Sequence, residues 1–254
     1  AEPLFRSRST SREPSPTYGH QWFRVSFTGG LGGHSGVDIN KGRASAVVAM
    51  KRLLQFIHIL CDVRIASLRM GEANASIASS AEAILCVQKG GYASFVVQQQ
   101  IVAKNWLKFY YGETDPYMFC KVETCERQPT VIKRKSFRIL MDCLSQIPQG
   151  VIQMSDTMAN TVETSNNIGI VETRDSCIFV STHTRSFINS TLRELSTKIA
   201  HVFEANGATS RQVMMAPAWR EHQDSAFMQL TSDTFNDVLG WRPRMVAMHF
   251  VLEA

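Results

Sequence analysis

The sequence predicts an α+β fold: a two-layer α/β-sandwich with two ferredoxin-like βαββαβ halves, followed by a short C-terminal αβ piece of a mostly parallel sheet. Over residues 21–127, strand-like runs and helix-period segments alternate in the order β-α-β-β-α-β, typical of an antiparallel sheet with two helices on one face. Residues 130–215 repeat this order less clearly. Residues 244–252 are apolar on both sides, as in a parallel strand covered on both faces.

The first half begins with a strand at about 21–28 and a glycine-rich loop, where Asp38 or Asn40 can cap the next helix. That helix is predicted from apolar residues at three- and four-residue steps, namely Ala46, Ala49, Met50, Leu53, Ile57 and Leu60. The remaining predicted elements are strands at 63–68 and 81–87, a helix at about 91–111 and a strand at 118–123. Residues 7–20 are predicted to be an extended edge or linker.

The second half is predicted to contain a helix at about 131–146, strands at 167–172 and 176–182, a further helix and a closing strand at 212–216. The further helix is expected to start at a capping box on Thr191 and to end at Gly207. In the tail, Asp224 and Ser225 are expected to cap a last helix, which Gly240 ends.

Composition excludes several classes of protein. With 44% hydrophobic and 19% charged residues in 254, the chain can bury a sizeable core and does not read as disordered. Its net charge of +5 is scattered, so no nucleic-acid partner is expected. No apolar run approaches the ~20 residues that span a bilayer, and no membrane partner is expected. The six cysteines form no CxxC pair, which favours reduced thiols and a cytoplasmic location.

The loop at residues 29–36 is the most informative stretch, because it holds five glycines in eight residues around a single histidine, His34. Glycines allow positive φ and close backbone approach, so this imidazole would stand on a loop between a strand and a helix. Such loops often carry function on a rigid scaffold. A glycine-rich turn with a surface histidine remains the alternative.

Four ordered motifs then indicate a family. Residues 27–43, FTGGLGGHSGVDINKGR, resemble the signature of the aminoacyl-histidine dipeptidases, carnosinase-like two-zinc metallopeptidases. Residues 162–169, VETSNNIG, the strand end with Arg185, and residues 245–253, MVAMHFVLE, resemble three later segments of that family. The resemblance implies that residues 1–215 are a lid and dimerisation domain and that residues 216–254 are part of the catalytic peptidase domain.

The resemblance also implies roles for individual residues. His34 is the donor to the oxyanion of the transition state, and Arg185 is the clamp for the C-terminal carboxylate of a dipeptide. Asn166 and Asn167 orient the substrate or only close a strand, with the structural role favoured, and Glu253 contacts the substrate backbone. The two zinc ions of the full-length family have their ligands, and the general base, outside this chain, so no metal is expected to bind the chain alone.

Alternatives stay open at several positions. Arg185 can be an ordinary strand-end arginine, His249 is expected to be a packed strand histidine, and His183 either supports Arg185 or is exposed to solvent. Residues 69–78, RMGEANASIA, depart from the G-G-N-A-R-N-A-I-P of the family. The sequence thus predicts a fragment or diverged homologue of a zinc-dependent, homodimeric dipeptidase that hydrolyses Xaa-His dipeptides and is inactive as this chain alone. A non-catalytic dimerisation or interaction module is the alternative.

Overall fold

A computed structural model describes residues 2–7, 12–213, 216–218 and 225–249. The helices are α1 (Ala46–Leu60), α2 (Gly91–Tyr111), α3 (Arg134–Gln146), α4 (Asn189–Ala205) and α5 (Ala226–Leu239). The strands are β1 (Glu2–Ser7), β2 (Arg12–Pro14), β3 (His20–Thr28), β4 (Gly33–His34), β5 (Arg64–Met70), β6 (Ser76–Ile77), β7 (Ala81–Gln88), β8 (Phe119–Thr124), β9 (Thr130–Ile132), β10 (Gly150–Met154), β11 (Val162–Thr173), β12 (Ile178–Ser186) and β13 (Ala208–Val213).

The main sheet is antiparallel and runs in the order β13-β1-β12-β11-β5-β7-β3-β8, with β10 also paired to β11. Its β5-β7-β3-β8 part places the first and third strands of the first half at the centre, as a ferredoxin-like unit does. The predicted α+β class is therefore confirmed, and so are the strands and both helices of the first half.

The second half obtains its first strand from the N-terminus. In β13-β1-β12-β11, β1 holds the place that β3 holds in the first half, so the two units share one strand order. Everything from β2 to β9 is inserted between this strand and α3. The predicted start of the third helix at 131 is wrong, because residues 130–132 form β9 and pair with Arg12–Pro14. That pairing covers a small apolar cluster formed by Trp22, Ala66, Cys86 and Val131.

One helix layer covers one face of the joined sheet. The halves meet where β11 pairs with β5, at Val171 opposite Met70. Helices α2, α1, α3 and α4 lie side by side in that order. Alternation along the strands explains the two layers: Phe23 and Val25 face the helices, while Trp22 faces away from them. The opposite face is therefore the one on which strand side chains meet loops.

Several predicted helix starts are wrong. Helix α1 begins after Ser45, so Asp38 and Asn40 do not cap it. Helix α4 begins after Ile188, which places Thr191 inside the first turn without a capping bond. Three other predictions at helix ends are correct: Gly207 follows the C-cap of α4 with φ 80°, α5 begins after Ser225, and Gly240 ends α5 in the left-handed conformation with φ 75°.

The two last predicted strands also differ from the structure. The closing strand is Ala208–Val213 rather than 212–216, whose residues 214–215 lie outside the described chain. Residues 244–249 of the predicted tail strand are not a strand, and 250–252 lie outside the described residues. A strand needs a neighbouring ladder of hydrogen bonds, and no described strand runs beside this segment.

Among the described residues, none of the helices has the length and apolar character of a membrane span.

Candidate functional site

The glycine loop is held rigidly at both ends and in the middle. The buried carboxylate of Asp115 accepts the N–H groups of Leu31 at 2.7 Å and Ala44 at 2.8 Å. At Gly33, where φ is 127°, an added Cβ would overlap the Arg43 guanidinium and crowd the Asp38 carboxylate. Only glycine fits that position without displacing them.

His34 lies at the tip of this loop with its ring exposed. Its Nδ1 accepts the backbone N–H groups of Gly36 at 3.2 Å and Val37 at 3.1 Å. A neutral imidazole that accepts at one nitrogen carries its proton on the other, so the proton of His34 is on Nε2. The ring is therefore set up as a hydrogen-bond donor through Nε2–H.

Partial burial and a neighbouring positive charge favour the neutral form of that imidazole. Partial burial and the nearby Arg185 lower the pKa of His34, against an opposing effect of Asp38. Burial acts to raise the pKa of Asp38, but Lys41, the His34 N–H and Arg43 together lower it. Asp38 bonds the His34 N–H at 2.9 Å and Arg43 at 3.2 Å, so it organises the loop instead of capping a helix.

Arg185 lies on β12 directly opposite Ser165 of β11, on the sheet face turned away from the helices. It is only 9% exposed, and its Nη2 donates to Ser35 Oγ at 3.3 Å. The structure therefore brings the predicted guanidinium against the residue next to His34. The imidazole and the guanidinium lie on the same side of the sheet.

Two further histidines lie beside this guanidinium. His183 is half-buried, and burial with the Arg185 charge lowers its pKa to about 3. His249 is buried, with its Nε2 2.7 Å from Ser165 Oγ, and burial with the Arg185 charge lowers its pKa to about 4. Both are neutral near pH 7, so Arg185 supplies the positive charge of this face. His249 is packed as expected, although not within a strand.

Asn166 and Asn167 point to opposite faces of β11, and both are buried. The Asn166 amide donates to the Pro148 carbonyl at 2.7 Å and accepts from Thr184 at 2.9 Å. The Asn167 amide donates to the Ser76 carbonyl at 2.8 Å and accepts from Gln149 at 3.0 Å. These contacts support the structural alternative for both. Glu253 lies outside the described residues.

A zinc site in a protein needs several His, Cys, Asp or Glu side chains that converge on one point. In the described ranges, no three His, Cys, Asp or Glu side chains converge to hold an ion. The histidines that gather near Arg185 share their space with a guanidinium, which repels a dication. The described residues therefore do not fit zinc. All six cysteines are free thiols, five of them buried.

Sequence reasoning missed two residues that shape the site. Asp115 bonds the loop across 84 residues, and Gln149 bonds Asn167 across 18. Neither lies in a motif or in a periodic pattern. Contacts between distant segments leave no local signal in a sequence, so only the fold reveals them.

Comparison with known proteins confirms the resemblance to the aminoacyl-histidine dipeptidases in sequence and in fold. The chain is 26% identical over 250 residues to the cytosol non-specific dipeptidase of Escherichia coli, covering 95% of this chain and 50% of that protein. Its fold matches a crystal structure of aminoacylhistidine dipeptidase from Vibrio alginolyticus with a TM-score of 0.90 and 24% identity, covering 99% of this chain and 51% of that one. The chain therefore spans about half the length of each of these two relatives. No protein-family model matches the sequence.

Proposed function

We propose that this chain is a diverged lid domain, with part of the peptidase domain, of a zinc-dependent dipeptidase that hydrolyses Xaa-His dipeptides. The observation that carries the proposal is the neutral, exposed His34 imidazole held next to the buried Arg185 guanidinium. The relatives, named as dipeptidases, support a peptide substrate. The preference for Xaa-His is supported by the name of the Vibrio protein and by the motif at residues 27–43.

His34 acts in this proposal on the oxygen of the scissile carbonyl. That oxygen becomes negative when the tetrahedral intermediate forms, and a preorganised N–H aimed at it lowers the barrier. The two bonds that Nδ1 accepts fix the ring and keep the proton on Nε2. His34 therefore donates a hydrogen bond without transferring its proton. The zinc ions of the full-length family are assigned to segments outside the described residues, and no step here runs through them.

Arg185 binds the free carboxylate at the C-terminal end of the dipeptide. A guanidinium presents two parallel N–H groups to a carboxylate, and burial strengthens that charge-assisted pair. The neutral state of His183 and His249 leaves the carboxylate with a single positive partner of fixed position. A carboxylate held by Arg185 and a carbonyl oxygen bonded by His34, whose neighbour Ser35 contacts Arg185, then belong to a short substrate with a free C-terminus.

The remaining assignments follow the resemblance. We assign residues 216–254 to the peptidase domain, homodimerisation to the lid, a substrate-backbone contact to Glu253 and a cytoplasmic location to the protein, as the name of the Escherichia coli relative supports. Helix α5 supports the division, because Phe227 and Val238 are 76% and 73% exposed and none of its residues is buried. The alternative of a non-catalytic interaction module gains no support from relatives named as peptidases.

The test compares variants in the full-length protein that contains this chain. His34→Ala should lower kcat on an Xaa-His dipeptide by about 10²- to 10³-fold, the usual effect of losing one oxyanion donor. Arg185→Lys should mainly raise KM, and the defect should shrink for a substrate whose C-terminus is amidated. His201→Ala, at an exposed position on α4, is the matched control. Wild-type kcat in His34→Ala would overturn the proposal.

A further inference from the structure

We propose that Asn167 and Gln149 are positioning residues that hold His34 in place through an intervening segment, residues 73–77, here called the bridge segment. This inference rests on the proposed role of His34. It assigns to Asn167 a task other than substrate contact. The chain of contacts runs from β11 through the bridge segment to the glycine loop.

The loop side of the bridge segment is bonded to His34 through the backbone. Strand β4 pairs with β6, which places His34 opposite Ser76 and Gly33 opposite Ile77. The N–H of Ser35 donates to the Ala75 carbonyl at 2.8 Å. The backbone on both sides of His34 therefore takes its position from residues 75–77.

The sheet side of the bridge segment is bonded to β11. The Asn167 Nδ2 donates to the carbonyls of Ser76 at 2.8 Å and Asn74 at 3.4 Å. Two residues further along β11, a Cβ on Gly169 would lie 2.5 Å from the Asn74 carbonyl oxygen and 2.7 Å from that of Ala73. The bridge segment thus lies directly on the strand backbone, and the Asn167 amide fixes where along the strand it lies.

Gln149 sets the orientation of the Asn167 amide. Its Nε2 donates to Asn167 Oδ1 at 3.0 Å, while its Oε1 accepts the N–H of Ile168 at 2.6 Å. Because Oδ1 accepts from Gln149, the donor end of the Asn167 amide faces the bridge carbonyls. A carboxylate at this position would place an acceptor against two carbonyl oxygens and leave them unsatisfied. Asn167 is 1% exposed, so its amide contacts protein groups.

Asn166 provides a matched control one residue away. It is equally buried, and its amide bonds Pro148 and Thr184 on the helix side of the sheet. Asn166→Asp therefore introduces the same chemical change at the same depth with no contact to the bridge segment. Any effect common to both variants reports on strand stability.

The experiment compares Asn167→Asp and Asn166→Asp in the full-length protein. For Asn167→Asp we expect hydrogen exchange at the Ser35 amide to quicken by about ten-fold, the equivalent of one lost hydrogen bond. The pKa of His34, followed by its ring resonances, should rise toward 6.5 as the loop loosens, and kcat should fall by roughly ten-fold with KM little changed. Asn166→Asp should leave the exchange rate, the His34 pKa and kcat within about two-fold of wild type while it lowers the melting temperature.

Each outcome decides the proposal. Equal effects of the two variants on Ser35 exchange, or an unchanged exchange rate in Asn167→Asp, would overturn it. If Asn167→Asp fails to fold, Gln149→Ala replaces it, with the same expected direction and the same criteria. Exchange and titration are read without turnover, so they report on positioning even if His34→Ala shows that the imidazole is not catalytic.

Discussion

The two halves of the sheet share one strand order but differ in what they bury. In the first half, β3 buries Phe23, Val25 and Phe27 against the helices. In the second half, the face turned away from the helices buries Ser165 and Asn167 of β11 and Arg185 of β12. Buried polar groups cost free energy unless they are bonded, so the polar residues on this face of the second half support the binding role proposed for Arg185. The first half is the scaffold that holds the glycine loop. The polar face of β11 and β12 that lies below the loop, with Ser165, His183 and Arg185, is here called the floor.

The largest expected effect on stability tests the scaffold. Phe27 is fully buried, so Phe27→Ala should lower the free energy of unfolding by about 3–5 kcal/mol through lost burial and the cavity left behind. Urea denaturation measures it. A loss below about 1 kcal/mol would show that the apolar half does not carry the stability, and the contrast between the halves would fail.

A smaller effect, with a defined pH dependence, tests the floor. His183 and His249 have folded pKa values of about 3 and about 4, below the 6.5 of an ordinary histidine. The unfolded chain therefore binds protons below pH 6.5 that the folded chain does not, so stability is complete above about pH 7 and falls as the pH drops toward 4.

His249→Gln isolates one of these contributions. Between pH 7 and 4.5 the variant should lose roughly 2 kcal/mol less stability than wild type, because one depressed pKa has been removed. Denaturation at the two pH values measures the difference. His201→Gln, at an exposed helix position, should lose as much stability as wild type over this pH range. An equal loss of stability in all three proteins would contradict a buried, neutral His249.

The smallest effect concerns the contact between tail and floor. Ser165→Ala removes the 2.7 Å bond to His249 and should cost about 1 kcal/mol at pH 7. Thermal unfolding measures it. A melting temperature close to that of wild type would show that His249 replaces this bond with an equally favourable hydrogen bond to water.

Local patterns predicted the elements that depend on neighbours in sequence. The three- and four-residue spacing from Ala46 gave α1, and Gly240 ended α5 as predicted, because periodicity and left-handed caps are properties of a short window. The Thr191 prediction was wrong because α4 already begins at Asn189. Ile188 therefore occupies the N-cap position, and Thr191 lies inside the first turn. The tail strand was wrong over residues 244–249, because no described strand lies beside them and Met245, Val246 and Met248 remain exposed.

The candidate site was predictable only in part. His34 and Arg185 were predicted from motifs, and Ser35 contacts Arg185 across 150 residues in the structure. That proximity follows from how β11 and β12 join the first half through β5, which periodicity does not encode. Gln149 and Asp115 had no motif at all, since an amide and a carboxylate that bond distant backbone groups look like ordinary surface residues in a sequence.

The position of β1 makes the inserted half a separable segment of the chain. Arg12 pairs with Ile132, so the inserted half departs from and returns to its host unit at adjoining points. Without the inserted half, β1, β11, β12 and β13 would keep their pairings with one another, and β11 would lose only its short pairing with β5. Splicing residue 12 to residue 132 would leave a continuous βαββαβ chain with the same strand order as the half that was removed.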